Sequence, residues 1–302
     1  MTSSPHGIYG TSPANLVHAE ANATQYSPII HHSATLEHVA SDSLHSFSML
    51  APAGTVERRF TMAHMLRALK PDAPFTVFAL KDKGGARLTK ELEAFGCRVA
   101  SDSKHHHRIC TGHRPENLLN IDEAIAEGAP RLLPELDLWT QPGVFSWNRI
   151  DVGSEMLMKH LPALSGSGAD FGCGIGYLSR AALASPAVTH MTMMDIDRRA
   201  VEMAKKNVDA ARTTIVWDDI KTLKTLSVDF VVMNPPFHDG GVEDQTLGQL
   251  FIRSAAAALR TGGALWLVAN RHLPYEAVMK PLFKNVTLHV EENGFKIYEA
   301  VK

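Results

Sequence analysis

An apolar run that ends in two prolines constrains this chain more than any other stretch. The run 228–233 is typical of a buried parallel strand, and Asn234-Pro235-Pro236-Phe237 follows it directly. Proline lacks the N–H group that a sheet ladder needs, so the strand must stop at Asn234. In open α/β sheets, ligands bind just beyond the carboxyl ends of the strands. The pattern therefore favours a parallel α/β sheet with a site at Asn234.

The chemistry of this stretch suits a planar amine. The side-chain oxygen of Asn234 and the carbonyl of Pro235 can each accept an N–H hydrogen bond, and Phe237 offers an aromatic face for stacking. A strand followed by an ordinary proline turn has the same local sequence. The other motifs of the chain decide between the two interpretations.

A glycine-rich stretch supplies a second part of the candidate site. Asp170-Phe171-Gly172-Cys173-Gly174-Ile175-Gly176 precedes a predicted helix over 177–183. Glycines let the backbone approach a ligand, and a helix N-terminus offers free N–H groups. The strand expected before this loop is weak, because residues 165–169 read Ser-Gly-Ser-Gly-Ala and have low β propensity.

Acidic residues follow the next two predicted strands. The strand over 188–194 ends at Asp195, where a carboxylate can accept both ribose hydroxyls of a nucleoside; Asp197 competes for this role. The strand over 214–216 ends at Trp217-Asp218-Asp219, which suits the edge of an adenine. Three strand ends and the glycine loop thus converge on one crevice that fits a nucleoside cofactor.

The first half of the chain also has α/β signals, although residues 1–50 show little pattern. A helix is predicted over 57–69 and a buried strand over 75–80; a glycine turn, a helix over 86–95 and a strand over 97–100 follow. We interpret the segment from 75 to 100 as a βαβ unit. Its turn lacks spaced glycines, so we expect this domain to bind no cofactor.

Charge and composition exclude several classes of protein. The formal net charge is -2, so any nucleic-acid surface must be a local patch. Between Lys81 and Arg114 there are eight Lys and Arg residues and four acids, with His105-His106-His107 among them. This segment is either an RNA-phosphate patch or a solvated loop. The histidines lack Cys or acidic partners at ligand spacing, so we expect no metal.

The cellular context is also predicted from simple patterns. Three widely spaced cysteines indicate a reducing compartment rather than a disulfide framework. The N-terminus lacks the pattern of a secretory signal, and no apolar run reaches the length of a transmembrane helix. We expect a soluble cytoplasmic monomer with no membrane partner.

These motifs together resemble the class I S-adenosylmethionine-dependent methyltransferases. The chain closely resembles the bacterial ribosomal RNA guanine-N2 methyltransferases that carry two tandem methyltransferase-like domains. The matching elements are Pro142-Gly143-Val144-Phe145-Ser146, Asp170 to Gly176, Asn234 to Gly240, Val268-Ala269-Asn270, Leu273-Pro274-Tyr275 and Phe295-Lys296-Ile297-Tyr298. The first half matches more loosely, and its first fifty residues depart from the pattern.

The resemblance implies two tandem Rossmann-like α/β domains. Residues 1–135 would be a degenerate copy that supports the fold and holds RNA, and residues 136–302 the catalytic domain. The catalytic domain would contain a seven-stranded, mostly parallel sheet with an antiparallel last strand. Its partner would be ribosomal RNA or a ribosomal subunit.

The resemblance also implies S-adenosylmethionine as the cofactor and assigns residues to each role. Cofactor binding falls to Asp170, Gly172, Gly174, Gly176, Asp195, Ile196, Asp218, Asp219 and Asn234. Catalysis falls to Asn234, Pro235, Pro236 and Phe237, and substrate contacts to Phe145, Ser146 and His238.

The predicted reaction is methyl transfer to the exocyclic N2 amino group of a guanine in ribosomal RNA. Two alternatives remain open. The same Asn-Pro-Pro-aromatic stretch also serves N-methylation of adenine N6 or of a glutamine amide. The chain would otherwise be a non-catalytic RNA- or ribosome-binding protein on a degenerate fold, but the intact glycine loop, Asp195 and Asn234 argue against this.

Overall fold

The chain folds into two compact units. A computed structural model describes residues 5–13, 16, 20, 22–223, 226–236, 238–239, 242–243 and 245–302, with the backbone alone at 238, 239, 242, 243 and 245. The first unit comprises residues 1–130 and 141–143, and the second comprises 131–140 and 144–302. The sequence also allows a short helix from Leu16 to Ala23, but residues 17–19 and 21 of this segment lie outside the described residues.

The first unit contains a six-stranded sheet and three helices. Its strands are β1 (His6–Tyr9), β2 (Thr24–Gln25), β3 (Ser46–Leu50), β4 (Pro74–Leu80), β5 (Val99–Lys104) and β6 (His107–His113). Its helices are α1 (Thr55–Ala68), α2 (Leu88–Ala94) and α3 (Ile121–Gly128). The strand order is β2-β1-β3-β4-β6-β5, and β6 is antiparallel to both of its neighbours.

The predicted βαβ unit of the first half is a split one: β4 and β5 run parallel in the same sheet and are joined through α2, but β6 lies between them. β5 does not pair with β4; it pairs antiparallel with β6, which in turn pairs antiparallel with β4. β5 and β6 form a hairpin whose turn residues, His105 and His106, both have positive φ. The local signals indicated strand, helix and strand correctly, but they carried no information about which strand lies next to which.

The second unit contains a seven-stranded sheet, two short hairpins and five helices. Its strands are β7 (Arg131–Leu133), β8 (Leu138–Thr140), β9 (Gly166–Phe171), β10 (Val188–Asp195), β11 (Thr213–Trp217), β12 (Val228–Met233), β13 (His238–Asp239), β14 (Val242–Glu243), β15 (Leu259–Asn270), β16 (Asn285–Glu292) and β17 (Phe295–Val301). Its helices are α4 (Val152–His160), α5 (Tyr177–Leu183), α6 (Arg198–Asn207), α7 (Gln245–Ala258) and α8 (Tyr275–Met279).

The large sheet of the second unit has the order β11-β10-β9-β12-β15-β17-β16. Only β17, the last strand in the chain, runs antiparallel to its neighbours β15 and β16. This confirms the predicted seven-stranded, mostly parallel sheet. Asn293 and Gly294 turn the β16–β17 hairpin with positive φ, as their sequence predicts.

The central position of β12 explains why its residues 230–233 are all apolar. Val231 and Met233 lie in one buried cluster, whereas Phe230 and Val232 lie in the cluster on the opposite face. Side chains alternate along a strand, so a strand covered on both faces needs apolar residues at every position. The carboxyl end of this strand delivers Asn234 to the middle of the sheet edge.

The strand that looked weakest in the sequence, β9, lies between β10 and β12. A Cβ atom added to Gly168 would lie 2.2 Å from the Phe230 ring and 2.6 Å from the Met191 sulfur. A Cβ added to Gly166, whose φ is +81°, would lie 2.0 Å from the Asp229 carboxylate. These glycines are required because side chains of neighbouring strands cross over them.

The two units share one sheet topology. In the first, β1 lies between parallel strands β2 and β3; in the second, β9 lies in the same way between β10 and β12. Both sheets then continue through one more parallel strand to an antiparallel pair made of the last two strands of the unit. Within its described residues, the first unit therefore repeats the second without a strand equivalent to β11, and the tandem Rossmann-like fold is confirmed.

A buried ion pair lies at the end of β3, the strand equivalent to β12. The Arg58 side chain is fully buried and binds the Glu91 carboxylate through two hydrogen bonds of 2.7 Å. It also donates to the carbonyls of Pro52 (3.1 Å) and Ala53 (2.7 Å), which follow β3. A Cβ atom on Gly84 would lie 2.2 Å from this guanidinium, so the pair fills its surroundings closely.

Short 3-10 segments complete the secondary structure at Leu36–His38, Lys81–Lys83, Gly85–Arg87, Ala210–Arg212 and Ile220–Thr222. Within the described part of the chain, none of the helices has the length and apolar character needed to cross a membrane.

Candidate active site

The side chain of Asn234 is fixed by the start of α4. Its Nδ2 donates to Oδ2 of Asp151 (2.8 Å) and to Oγ of Ser154 (2.9 Å). Its Oδ1 is buried and has no hydrogen-bond partner among the described residues. Asn234 also lines a cleft of the second unit, so the amide carries an unused acceptor next to that cleft.

The N-cap of α4 differs from the sequence prediction. We expect Ser154 from its residue type, but the helix begins at Val152 and Asp151 is its cap, accepting from the backbone N–H of Ser154 at 2.8 Å. Sequence reasoning missed Asp151 as a site residue. The available signal was an Asp three positions before a Ser at a helix start, which is a common capping spacing.

The glycine loop has the backbone that its sequence predicts. Gly172, Gly174 and Gly176 have φ values of +71°, +53° and +86°, a region that other residues rarely adopt. A Cβ atom added to Gly174 would meet no atom within 4 Å, whereas one added to Gly172 would lie 3.9 Å from Pro236. The loop is thus open above Gly174, and it lies close to the Asn-Pro-Pro turn.

Asp170 supports this loop from below. Its side chain is 1% exposed, and its Oδ2 accepts a hydrogen bond from the Ser179 hydroxyl at 2.7 Å. Its Oδ1 is buried without a hydrogen-bond partner in the described structure. Burial raises the pKa of the Asp170 carboxyl to about 7, and the nearby Asp195 carboxylate adds to the rise.

This burial predicts a pH-dependent effect of replacing Asp170 by asparagine. The folded protein holds a proton on Asp170 more tightly than the unfolded chain, whose pKa is near 3.8. The Asp170 carboxyl therefore lowers the free energy of unfolding of the wild-type protein as the pH rises from about 4 to 7, and Asp170→Asn lacks this contribution. Urea unfolding at pH 5 and pH 8 should show the variant gaining stability relative to wild type at pH 8. If the free energy of unfolding differs between variant and wild type by the same amount at both pH values, the prediction is contradicted.

Asp195 holds the glycine loop through its carboxylate. Its Oδ2 accepts from the Gly174 N–H and its Oδ1 from the Asp197 N–H, both at 2.8 Å. Burial raises the pKa of the Asp195 carboxyl to about 6. The competing Asp197 is otherwise engaged, since it caps α6 and forms an ion pair with Arg199 at 2.8 Å. The geometry thus favours Asp195 over Asp197 for a ligand contact.

The remaining residues predicted near the adenine lie beside Asp195. Ile196 is 44% exposed, and its carbonyl accepts from the Trp217 indole N–H at 2.8 Å. The backbone N–H of Asp218 donates to the carbonyl of Asp195 at 3.1 Å, which brings the ends of β10 and β11 together. The Asp219 carboxylate accepts from the N–H of Lys221 and caps a 3-10 turn.

About 580 Å³ of space, part of it open solvent, lies in and above the cleft of the second unit. Its lining includes predicted site residues from several elements: Phe145, Ser146, Gly172, Gly174 and Asn234. It also includes Asp151, Ser154, Trp147 and Arg149, which the sequence did not indicate as site residues. Phe145 is 64% exposed, and the Ser146 hydroxyl donates to the Arg149 carbonyl at 2.8 Å.

Not every predicted residue lines this cleft. Asp170 lies beneath the loop, and Asp195, Ile196, Asp218 and Asp219 lie at the ends of β10 and β11. Pro235 is buried and Pro236 exposed. Phe237 and the side chain of His238 lie outside the described residues. In the part of the chain that is described, no three His, Cys, Asp or Glu side chains are placed to hold a metal ion.

Comparisons with known proteins agree with this fold and motif set. A family model, the methyltransferase small domain, matches residues 135–299. Ribosomal RNA small subunit methyltransferase C of Shewanella pealeana is 34% identical over 243 residues, which cover 78% of this chain and 70% of that protein. The protein of the same name from Shewanella loihica is 36% identical over 166 residues, but the match spans only 48% of its length.

One solved structure shares the fold over most of the chain. The T. thermophilus 16S rRNA N2 methyltransferase, in complex with AdoMet and guanosine, superposes with a TM-score of 0.74. It is 22% identical, and the match covers 89% of this chain and 76% of that chain. The chain belongs to the methyltransferase small domain family, in the group of the ribosomal RNA small subunit methyltransferases C.

Proposed function

We propose that this protein transfers a methyl group from S-adenosylmethionine to the exocyclic N2 amino group of a guanine in small-subunit ribosomal RNA. The observation that carries the proposal is the Asn234 amide, whose NH2 group is anchored and whose buried oxygen is free to accept. The names of the relatives and of the solved structure support this substrate class.

The second unit fits a nucleoside cofactor. The open backbone at Gly174 allows close approach, and Asp195 lies at the end of the adjacent strand with lone pairs left for ribose hydroxyls. Ile196 and Asp218 would border the adenine. When bound, S-adenosylmethionine supplies an electrophilic methyl group. The proximity of Gly172 to Pro236 brings the cofactor loop beside the Asn-Pro-Pro turn.

The residues after β12 would activate and orient the amine. The lone pair of an exocyclic amino nitrogen is delocalised into the ring, so this nitrogen is a weak nucleophile. Hydrogen bonds from its two N–H groups to Oδ1 of Asn234 and the Pro235 carbonyl favour a pyramidal nitrogen with a more available lone pair. Phe237 would stack on the target base, which must unstack from the neighbouring bases of the RNA to enter the cleft. Positioning then supplies most of the rate enhancement.

The first unit would support the fold and contact RNA. Most of its basic residues between Lys81 and Lys104 are exposed, whereas Arg114 is buried and paired with Asp42 at 2.9 Å. The surface-accessible part of this segment is therefore a candidate phosphate contact. We expect the protein to act as a monomer in the cytoplasm, where its RNA substrate is assembled.

Tritium transfer to defined acceptors tests the proposal. The protein is incubated with methyl-labelled S-adenosylmethionine and, separately, with small subunits, naked small-subunit RNA, DNA and a glutamine-containing release factor. Digestion to nucleosides should give labelled N2-methylguanosine from the ribosomal RNA. Label in N6-methyladenosine or in the release factor instead would support the adenine N6 amino group or the glutamine amide as the substrate. No transfer to any acceptor, with intact cofactor binding, would overturn the proposed function.

A further inference from the structure

The start of α4 contacts the candidate catalytic amide from one side. We infer that Asp151 and Ser154 are positioning residues that present the oxygen of Asn234, rather than its NH2 group, to the substrate amine. The inference rests on the proposed function and deepens it. It concerns two residues outside the Asn-Pro-Pro-Phe stretch and the glycine loop.

Asp151 fixes the sense of the amide. A carboxylate only accepts hydrogen bonds, so the end of Asn234 that lies 2.8 Å from Oδ2 of Asp151 must be the NH2 group. A rotation of the amide by 180° would place its oxygen against the carboxylate and would lose the hydrogen bond to Asp151. Ser154 alone would not fix the sense, because a hydroxyl both donates and accepts. It accepts the second N–H at 2.9 Å and so sets the amide plane.

The helix holds both partners in place. Asp151 caps α4, and Ser154 lies one turn later on the same side of the helix. The same Asp151 oxygen accepts the Ser154 backbone N–H at 2.8 Å, so the side chain cannot rotate away without uncapping the helix. The positive end of the helix dipole stabilises the carboxylate. Because the Asn234 amide is already held in one orientation, no further conformational entropy is lost in ordering it when substrate binds.

The contact also strengthens Asn234 as an acceptor. A charge-assisted hydrogen bond from the amide N–H to a carboxylate shifts electron density toward the amide oxygen. In chains of hydrogen bonds, such polarisation strengthens the next bond by roughly 10–30%. The substrate amine is the next donor in this chain, so Asp151 acts on it through Asn234 without touching it.

Two substitutions separate orientation from folding. Asp151→Asn keeps a side-chain oxygen that can cap α4 but removes the negative charge, and Ser154→Ala removes only the second acceptor. A hydrogen bond to a charged group contributes about 1.5–3 kcal/mol and a neutral one about 0.5–1.5 kcal/mol, so the loss of the charge should lower kcat roughly 5- to 10-fold in Asp151→Asn. The KM for RNA, the affinity for S-adenosylmethionine and the melting temperature should stay close to wild type. A fall in cofactor affinity or stability that accounts for the lost activity would overturn the inference.

A double-mutant comparison gives a sharper test. In an Asn234→Ala background the amide that Asp151 orients is gone, so Asp151→Asn should cause no further loss of residual activity. A full additional loss would show that Asp151 acts independently of Asn234 and would overturn the inference.

A spectroscopic readout does not depend on turnover. In protein labelled with [15N]asparagine, the side-chain amide protons of Asn234 should exchange slowly with solvent and shift in Asp151→Asn. Asp209→Asn is the matched control, because Asp209 also caps a short helix in the second unit but does not line the cleft. It should leave the Asn234 signals and kcat unchanged.

The outcomes distinguish this inference from the proposed function. If the wild-type protein transfers methyl groups and Asp151→Asn matches it in kcat and in the Asn234 signals, only the positioning inference fails. If the wild-type protein transfers none, the proposed function fails, and the inference, which rests on it, fails as well.

Discussion

Replacement of Asn234 by alanine is expected to lower kcat for methyl transfer at least about 100- to 1,000-fold, the range seen when one preorganised hydrogen-bonding group is lost from an active site. The buried Oδ1 is the acceptor that would bind the substrate N–H, and alanine offers none. The glycine loop and Asp195 are untouched. Single-turnover assays with labelled S-adenosylmethionine should therefore show slow transfer, and calorimetry should show near wild-type cofactor affinity.

The control for this variant is Asn285→Ala, which removes an exposed asparagine from β16 in the same unit. It should leave kcat unchanged. Thermal unfolding of both variants checks that the loss is not a folding defect. Normal turnover by Asn234→Ala would remove Asn234 from the proposed mechanism.

The second large effect is expected in cofactor binding. Asp195→Ala should weaken S-adenosylmethionine binding by about 3 kcal/mol, or roughly 100-fold, because hydrogen bonds to a charged acceptor are lost. Part of the loss comes from the loop, since Asp195 also accepts from the Gly174 N–H. Calorimetry measures the affinity directly, and an unchanged value would exclude Asp195 from the ribose contact.

The same residue predicts a pH profile. Because burial raises the pKa of Asp195 to about 6, the wild-type protein should bind the cofactor more weakly as the pH falls through that value. Protonation removes the charge that strengthens the ribose contacts. Asp209→Ala, which removes an exposed carboxylate of the same unit, should retain the wild-type profile. A flat profile between pH 5 and 8 in the wild-type protein would contradict this role.

The sequence predicted the centre of the second unit well because the signals there are local. An apolar run stopped by two prolines identifies both β12 and its end, and positive-φ glycines identify a loop before α5. The acid at the end of β10 follows from the alternation of strands and helices. Their assignment to cofactor and substrate binding stays a prediction that the variants above would test.

The features that the sequence did not predict depend on distant residues. Gly168 looked like a strand breaker, yet it is needed because the Phe230 ring lies over it. Asp151 was not identified from the sequence, because its partner Asn234 is far away in the chain. In the first unit, β6 is inserted between the two parallel strands of the predicted βαβ unit. No local pattern reports such tertiary partners.

The Arg58–Glu91 ion pair of the first unit can be compared with the candidate site of the second, because the two sheets share one topology. Pro52 lies two residues after the end of β3, just as Pro235 lies two residues after the end of β12. In the second copy the Pro235 carbonyl would accept from the planar amine of a substrate; in the first, the planar guanidinium of Arg58 already donates to the Pro52 carbonyl and to the next one, that of Ala53. In the first copy, the Arg58 guanidinium therefore lies against the carbonyl that corresponds to the one proposed to bind the substrate amine. Displacing the guanidinium would break a buried ion pair at a cost of about 3–5 kcal/mol, so we expect the first copy not to bind a substrate amine at this position.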